Sequence, residues 1–357
     1  MRENSPRDVA IEEGVRMAVT LQDVATRAGV SQATASRVLN GSARVPGEGV
    51  ADRVRAAAKE LGYVPNAQAQ ALARASTGLL GLVVHDIADP YFSSIARGVQ
   101  KASRAAGKQV LLASTDRDYD VERDAVSTFI SHRADAILLA GSRQSGHLDR
   151  DIETEFGRYR DNGGRIVVIG QPLAFGGAVE PENAFASAQL ADQLVELGHT
   201  QFAVIGGPGS IRTAVDRRNG FVDALGRRGI TPLVEVSGDF TRDGGHSAAR
   251  RLAAALQLSP GAGTPPVCVF AVTDVMAIGA IAAWRELGLE VPRDVCIAGF
   301  DDIPTLRDHW PSLSTVALPL ERIGERAVEL ALCTDPGADD LRERIAGEVV
   351  LRTSTQL

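Results

Sequence analysis

The chain has 357 residues, 44% of them hydrophobic and 23% charged, with a formal net charge of −7. That length suits two or three domains with real cores, and the longest apolar runs, such as residues 79–84 and 267–272, fall well short of the roughly 20 residues that span a bilayer. The overall acidity excludes a uniformly basic chain but not a basic end: residues 19–76 carry +3 and residues 77–357 carry −9, which suits nucleic acid at one end only.

Residues 1–18 are polar and aperiodic, alternate in charge and lack an apolar h-region, so they read as a disordered extension without a signal peptide. Thr20 then caps a helical pattern with Leu21, Val24, Ala25 and Ala28 on one face. Gly29 can take the positive φ of a tight turn. Ser31 can cap a second helix over residues 32–39, with Ala35, Val38 and Leu39 inward and Gln32, Ala33, Thr34, Ser36, Arg37 and Asn40 outward. A third helix over 50–61 buries Val54, Ala57, Ala58 and Leu61 and ends at Gly62. Asn66 can cap a helix running to about residue 74, too short to be stable alone. From residue 79 onward, strand-sized apolar runs (79–84, 110–114, 136–140, 166–169, then 202–206, 266–272, 296–300) alternate with amphipathic helices. That rhythm predicts two parallel sheets covered by helices.

Two short helices joined by a glycine turn make a helix-turn-helix pattern. The second helix shows side chains suited to DNA. Arg37 can bind guanine bidentately, Gln32 can read adenine, and the hydroxyls of Thr34 and Ser36 can hold phosphates. The same pattern also fits a small helical bundle with a polar face. Cys268, Cys296 and Cys333 lie in apolar stretches without a CxxC or Cys/His cluster, and are expected to be buried, reduced thiols of a cytoplasmic protein. No metal or cofactor is expected. Gly206-Gly-Pro-Gly209 lacks the third glycine of a dinucleotide fingerprint and reads as a turn, and there is no GxSxG, P-loop or HExxH, so no enzyme is expected.

The run Val19-Thr-Leu-Gln-Asp-Val-Ala-Thr-Arg-Ala-Gly-Val-Ser-Gln-Ala-Thr-Ala-Ser-Arg-Val-Leu-Asn40 resembles the signature of the lac repressor family, as does Glu60-Leu-Gly-Tyr-Val-Pro-Asn66 followed by Ala69-Gln-Ala-Leu72. The resemblance extends from Val19 to the C-terminus. It implies an all-α helix-turn-helix head (19–65), a hinge helix (66–76) and an α/β sensor domain (77–357) of two doubly wound lobes like periplasmic sugar-binding proteins. Lobe 1 is expected at about 77–180 and 311–342, and lobe 2 at about 181–310 and 343–357. Gln32, Ala33 and Arg37 match positions that read the major groove; Thr34, Ser36 and Asn40 match backbone-contacting or supporting positions. In the hinge, Asn66 caps, Ala69 permits close approach, and Leu72 matches a leucine that wedges into the central minor-groove step. Asp89, Tyr91 and Phe92 match a cleft-lining loop, Arg217 an arginine that grips the effector, Phe240 an aromatic that packs on it, and Asp301 a carboxylate that accepts its hydroxyl or ring N–H groups.

The chain departs from the family pattern in places. Ala35 replaces a usual valine. Residues 46–50 hold one residue more than usual and lack a Thr-Arg pair, leaving Arg44 or Arg53 to meet phosphate. Thr273, at a further effector-binding position, stands where many members have Asn, and Gly170-Gln171 where sugar binders often have Asp. The resemblance implies a homodimer on a pseudo-palindromic operator, acting as a repressor governed by a sugar, polyol or flat-ring metabolite. A purine-like corepressor is the alternative. A sugar-binding transport component shares the body, but the head and the missing signal peptide count against it; an enzyme on a doubly wound fold lacks its motifs.

Overall fold

The computed structural model describes residues 19–40, 47–64, 76–141, 150–261, 265–335 and 341–357. The chain divides into two units, Met1–Thr77 and Gly78–Leu357. The expected extension at 1–18 and the hinge positions Asn66, Ala69 and Leu72 lie outside the described residues.

In the first unit, α1 (Leu21–Ala28) begins with a capping box. The Thr20 backbone N–H donates to Asp23 at 2.9 Å, and the Asp23 N–H donates to the Thr20 hydroxyl at 3.3 Å. Gly29 ends the helix in the left-handed region at φ 68°. The next helix, α2, spans Gln32–Asn40, and the Ser31 hydroxyl caps it by accepting from Thr34 N at 3.2 Å. The third, α3, spans Glu48–Leu61. It starts two residues before the expected position 50, with Gly47 at the N-cap and the acidic Glu48 in the first turn, where it complements the helix dipole. Val24, Ala25, Ala35 and Val54 are fully buried and join the three helices.

The second unit holds two all-parallel sheets. The first is ordered β11-β5-β4-β3-β1-β2, with β1 Leu79–Val84, β2 Gln109–Ser114, β3 Ala136–Ala140, β4 Arg165–Ile169, β5 Gly177–Pro181 and β11 Arg342–Ile345. The second is ordered β7-β6-β8-β9, with β6 Phe202–Gly206, β7 Val234–Ser237, β8 Val267–Ala271 and β9 Val295–Ala298. Helices α4 (Pro90–Ala105), α5 (Tyr119–Ser131), α6 (Arg150–Asp161) and α11 (Leu320–Leu332) serve lobe 1. Lobe 2 carries α7 (Asn183–Glu196), α8 (Arg212–Arg227), α9 (Arg242–Ala255) and α10 (Asp274–Glu286). The central strands read as continuous apolar runs because both faces of each sheet are covered.

The later lobe crossovers differ from expectation. Residues 314–317 remain beside lobe 2, where Ser314 bridges Ala298 and β10 (Thr315–Ala317) pairs antiparallel with β12 (Glu348–Val350). Lobe 1 resumes only at α11, and β11 keeps residues 343–345 at the edge of its sheet. Three- and four-residue strands carry too few positions for periodicity to reveal, and Arg-Glu-Arg-Ile gives β11 no apolar run. Cys268 and Cys296 are buried free thiols; Cys333 is only half-buried, because it caps the end of α11 and not a strand interior.

The final turn, Thr353–Thr355, is pinned to lobe 2 by His199. Its Nε2–H donates to the Thr355 carbonyl at 2.9 Å, leaving Nδ1 buried and without a partner. Burial holds the imidazole pKa below its usual value. The unfolded chain therefore takes up a proton near pH 6.5 before the folded one does. Stability is expected to be full above about pH 6.5 and to fall as pH drops from there toward the lower folded-state value. Urea titrations across that range should show a shallower decline in His199→Gln; an identical slope would remove His199 as the cause.

Candidate ligand cleft and nucleic-acid interface

Parallel strands point their C-terminal ends, and the helix N-termini that follow, toward the same edge of a sheet. Ligand crevices form there. In lobe 1 that edge carries Asp89, Tyr91 and Phe92 after β1 and Arg117 after β2; in lobe 2 it carries Thr213 after β6, Phe240 after β7, Thr273 after β8 and Asp301 after β9. Arg217 reaches in from α8. All seven cleft residues expected from sequence line one inner pocket, together with His85, Arg117 and Thr213, which sequence reasoning missed. The pocket has a volume of about 30 Å³, room for little more than water. It shares Asp89, Arg117 and Phe240 with a cavity of about 720 Å³, a size suited to a small metabolite.

Arg217 is 1% exposed. Its Nε donates to Asn183 Oδ1 at 2.8 Å, Nη1 to the Val272 carbonyl at 2.9 Å, and Nη2 to Asp301 Oδ1 at 2.7 Å. The guanidinium also lies 3.9 Å from the centre of the Phe300 ring. Asn183, at the start of α7, carried no local signal for this role.

Burial pushes the Asp301 carboxyl well above the ordinary carboxylate range, while Arg217 pulls the other way and Asp274 adds to the rise. Its backbone sits at φ 119°, followed by Asp302 at φ 54°, both outside the usual region for L residues. Bonds from Asp301 N to Val316 O (2.9 Å) and from Leu318 N to Asp301 O (3.3 Å) hold it there. Such strain costs about 1–3 kcal/mol and is characteristic of ligand clamps.

A second buried carboxylate, Asp274, was also missed. It accepts from the Thr315 hydroxyl at 2.7 Å and from Ile303 N at 3.0 Å, and burial pushes its pKa up to about 6. Thr273 spends its hydroxyl on capping α10, accepting from Met276 N at 3.3 Å. Asp89 caps α4 by accepting from Tyr91 N at 2.9 Å, and burial raises its pKa. Phe92 is 4% exposed and packs edge-on against His85 and Tyr91. Gly207 has a packing reason: a Cβ there would lie 2.7 Å from the Phe240 ring, so the glycine turn lets the aromatic approach.

In the first unit, α2 exposes Gln32, Ala33 and Arg37 while Thr34 and Ser36 are half-buried. Asn40 is the last residue of the helix. Arg53, a candidate phosphate contact, directs Nε toward the Ala28 carbonyl at 3.5 Å and Nη1 toward that of Gly49 at 3.4 Å. Arg44 lies outside the described residues. Among the described residues no His/Cys/Asp/Glu group could hold a metal, and no helix is long and apolar enough to cross a membrane.

Residues 20–66 match the family described as bacterial regulatory proteins, lacI family, and residues 191–355 match the periplasmic binding protein-like domain. The HTH-type transcriptional repressor PurR of Proteus mirabilis is 34% identical over 318 residues, covering 88% of this chain and 89% of its own length. The chain belongs to the lacI family. It is a DNA-binding transcriptional repressor with an effector-binding domain, and not an enzyme. Solved structures of the family share the fold. A lac repressor dimer bound to operator and the anti-inducer ONPF superimposes with a TM-score of 0.81 at 24% identity, covering 96% of this chain and all 100% of that one. A complex of the transcriptional regulator CelR with cellobiose gives 0.66 at 30% identity, covering 94% and 99%.

Proposed function

We propose that this lacI-family repressor works as a homodimer on a pseudo-palindromic operator and releases it when a sugar or related metabolite occupies the cleft between the lobes. What supports the effector reading is convergence. Seven residues scattered from position 89 to 301, drawn from both lobes, line one pocket around a buried Arg217–Asp301 pair. The cellobiose held by a 30% identical regulator supports the sugar class. Two-fold symmetry of the protein implies two-fold symmetry of the site, with one head per half-site.

On DNA, Gln32, Ala33 and Arg37 read base edges, Thr34, Ser36 and Asn40 hold or support the backbone contacts, and Leu72 wedges the central step, with Asn66 and Ala69 shaping the hinge. Effector control needs a coupling of only about 1–3 kcal/mol between cleft and head. Fluorescence anisotropy on the operator, with and without a panel of sugars and purines, tests this. Loss of binding with one compound identifies the inducer; tighter binding makes that compound a corepressor; indifference to every compound rejects the effector role of the cleft.

Arg37→Ala is expected to cost about 1–3 kcal/mol of operator affinity and to relax preference at one base pair per half-site. Competition among single-base operator variants measures this. Uniform weakening across all of them would reduce Arg37 to a backbone contact.

A further inference from the structure

Arg217, expected to grip the effector, is engaged by three acceptors of its own protein. A second cation faces the same space. Arg117 lines both the inner pocket and the larger cavity, so it stands where the two meet. Its Nε is buried without a hydrogen-bond partner, and among the described residues it enters no ion pair. The nearest acidic residues act on it only at longer range. Of these, Asp86 and Asp89 each turn an oxygen back to the main chain, accepting from Ala88 N at 2.8 Å and Tyr91 N at 2.9 Å.

The loop backbone holds the guanidinium in place. Asp116 and Arg117 are consecutive non-glycine residues at φ 49° and 63°. Asp116 N donates to the His85 carbonyl at 2.6 Å and Thr115 N to that of Val84 at 3.0 Å, tying the turn to the end of β1. The opposite wall contributes Phe240, whose ring centre is 5.7 Å from the guanidinium carbon. Burial lowers the Arg117 pKa, yet an arginine remains charged at neutral pH. A half-buried guanidinium whose buried Nε–H is unmet, with an aromatic beside it, is a receptor for a planar or tetrahedral oxyanion, which it can bind through two parallel hydrogen bonds.

We propose that Arg117 is the anion-recognising residue of the cleft, and that the effector carries a carboxylate or phosphate group that lands on it. This rests on the reading of the cleft as the effector site. Arg117 stands between Asp116 and Asp118, a local pattern that carries no signal of a ligand role.

The test is calorimetric titration of the full chain with two minimal probes, inorganic phosphate and acetate, in wild type, Arg117→Gln and Arg117→Lys. One probe is expected to bind saturably, weaken with added salt, lose at least about tenfold in affinity in Arg117→Gln and keep part of it in Arg117→Lys. Which probe binds tells phosphate from carboxylate. A thermal melt of Arg117→Gln matching wild type shows that the loss is not unfolding. Absence of binding by either probe overturns the proposal, and so does equal binding by Arg117→Gln, which would place the anion elsewhere, for instance on the head. Operator anisotropy separates the two readings: a neutral sugar that releases DNA equally well from wild type and Arg117→Gln overturns the role of Arg117 and leaves the cleft as the effector site.

Discussion

Replacing Arg217 with methionine is expected to lower the stability of residues 78–357 by about 3–5 kcal/mol. The arginine and Asp301 are 2% and 4% exposed in their side chains, so removing the cation leaves a carboxylate buried without its counter-charge. Asn183 and the Val272 carbonyl lose their donors in the same step. The loss should depend on pH. Burial already raises the Asp301 pKa, and without Arg217 nothing opposes that rise. A raised carboxyl contributes its stability below the unfolded pKa and loses it as pH climbs through the folded value. Because the wild-type carboxyl is itself pushed up to about 8, the gap between variant and wild type should be steady up to about pH 7 and widen toward about pH 9. Urea unfolding at the two pH values measures it. A second variant, Arg217→Met with Asp301→Leu, should recover most of the loss, since a buried pair replaced by apolar groups is often neutral. Equal destabilisation at both pH values with no recovery would mean that packing, not charge, makes Arg217 matter.

Gly220→Val is the second large effect. Gly220 follows Arg217 by one turn of α8, and a Cβ placed on it would lie 2.1 Å from the backbone carbonyl oxygen of Ala184 on α7. Main chain cannot turn aside as a flexible side chain can, so the helices must separate. Overpacking of this kind costs about 1–3 kcal/mol or more. Separation also withdraws Arg217 from Asn183, which begins α7, so a ligand bound in the cleft should weaken together with the melting temperature. Gly226 lies on the same helix, and a Cβ placed there would meet nothing within 4 Å. Gly226→Ala should therefore be neutral or stabilise by about 0.5–1 kcal/mol. If the two substitutions behave alike, close approach of α7 and α8 is not what Gly220 provides.

Local signals carried the head almost completely. Thr20, Gly29, Ser31 and Gly62 bracket the helices because capping and positive φ are chemistry within a few residues. Even there the reciprocal Asp23 half of the capping box went unread, and α3 began two residues earlier than its apolar residues suggested, since Glu48 and Gly49 add no apolar signal.

The body was legible as alternation and not as contact. Apolar runs and amphipathic stretches are period signals, so two helix-covered parallel sheets followed from the sequence by itself, as did the family. The residues expected to line the cleft came with that family resemblance, position by position. Only the tertiary structure decided how the pocket is wired. Asn183 meets Arg217 across 34 residues and Thr315 meets Asp274 across 41. It also placed Arg117 on the cleft wall, and showed that Arg217 already donates to three acceptors of its own protein. Short-range periodicity records which face of an element is buried. It holds no record of which distant side chain completes a hydrogen bond, because that partner is chosen when the lobes pack and buried polar groups must find each other.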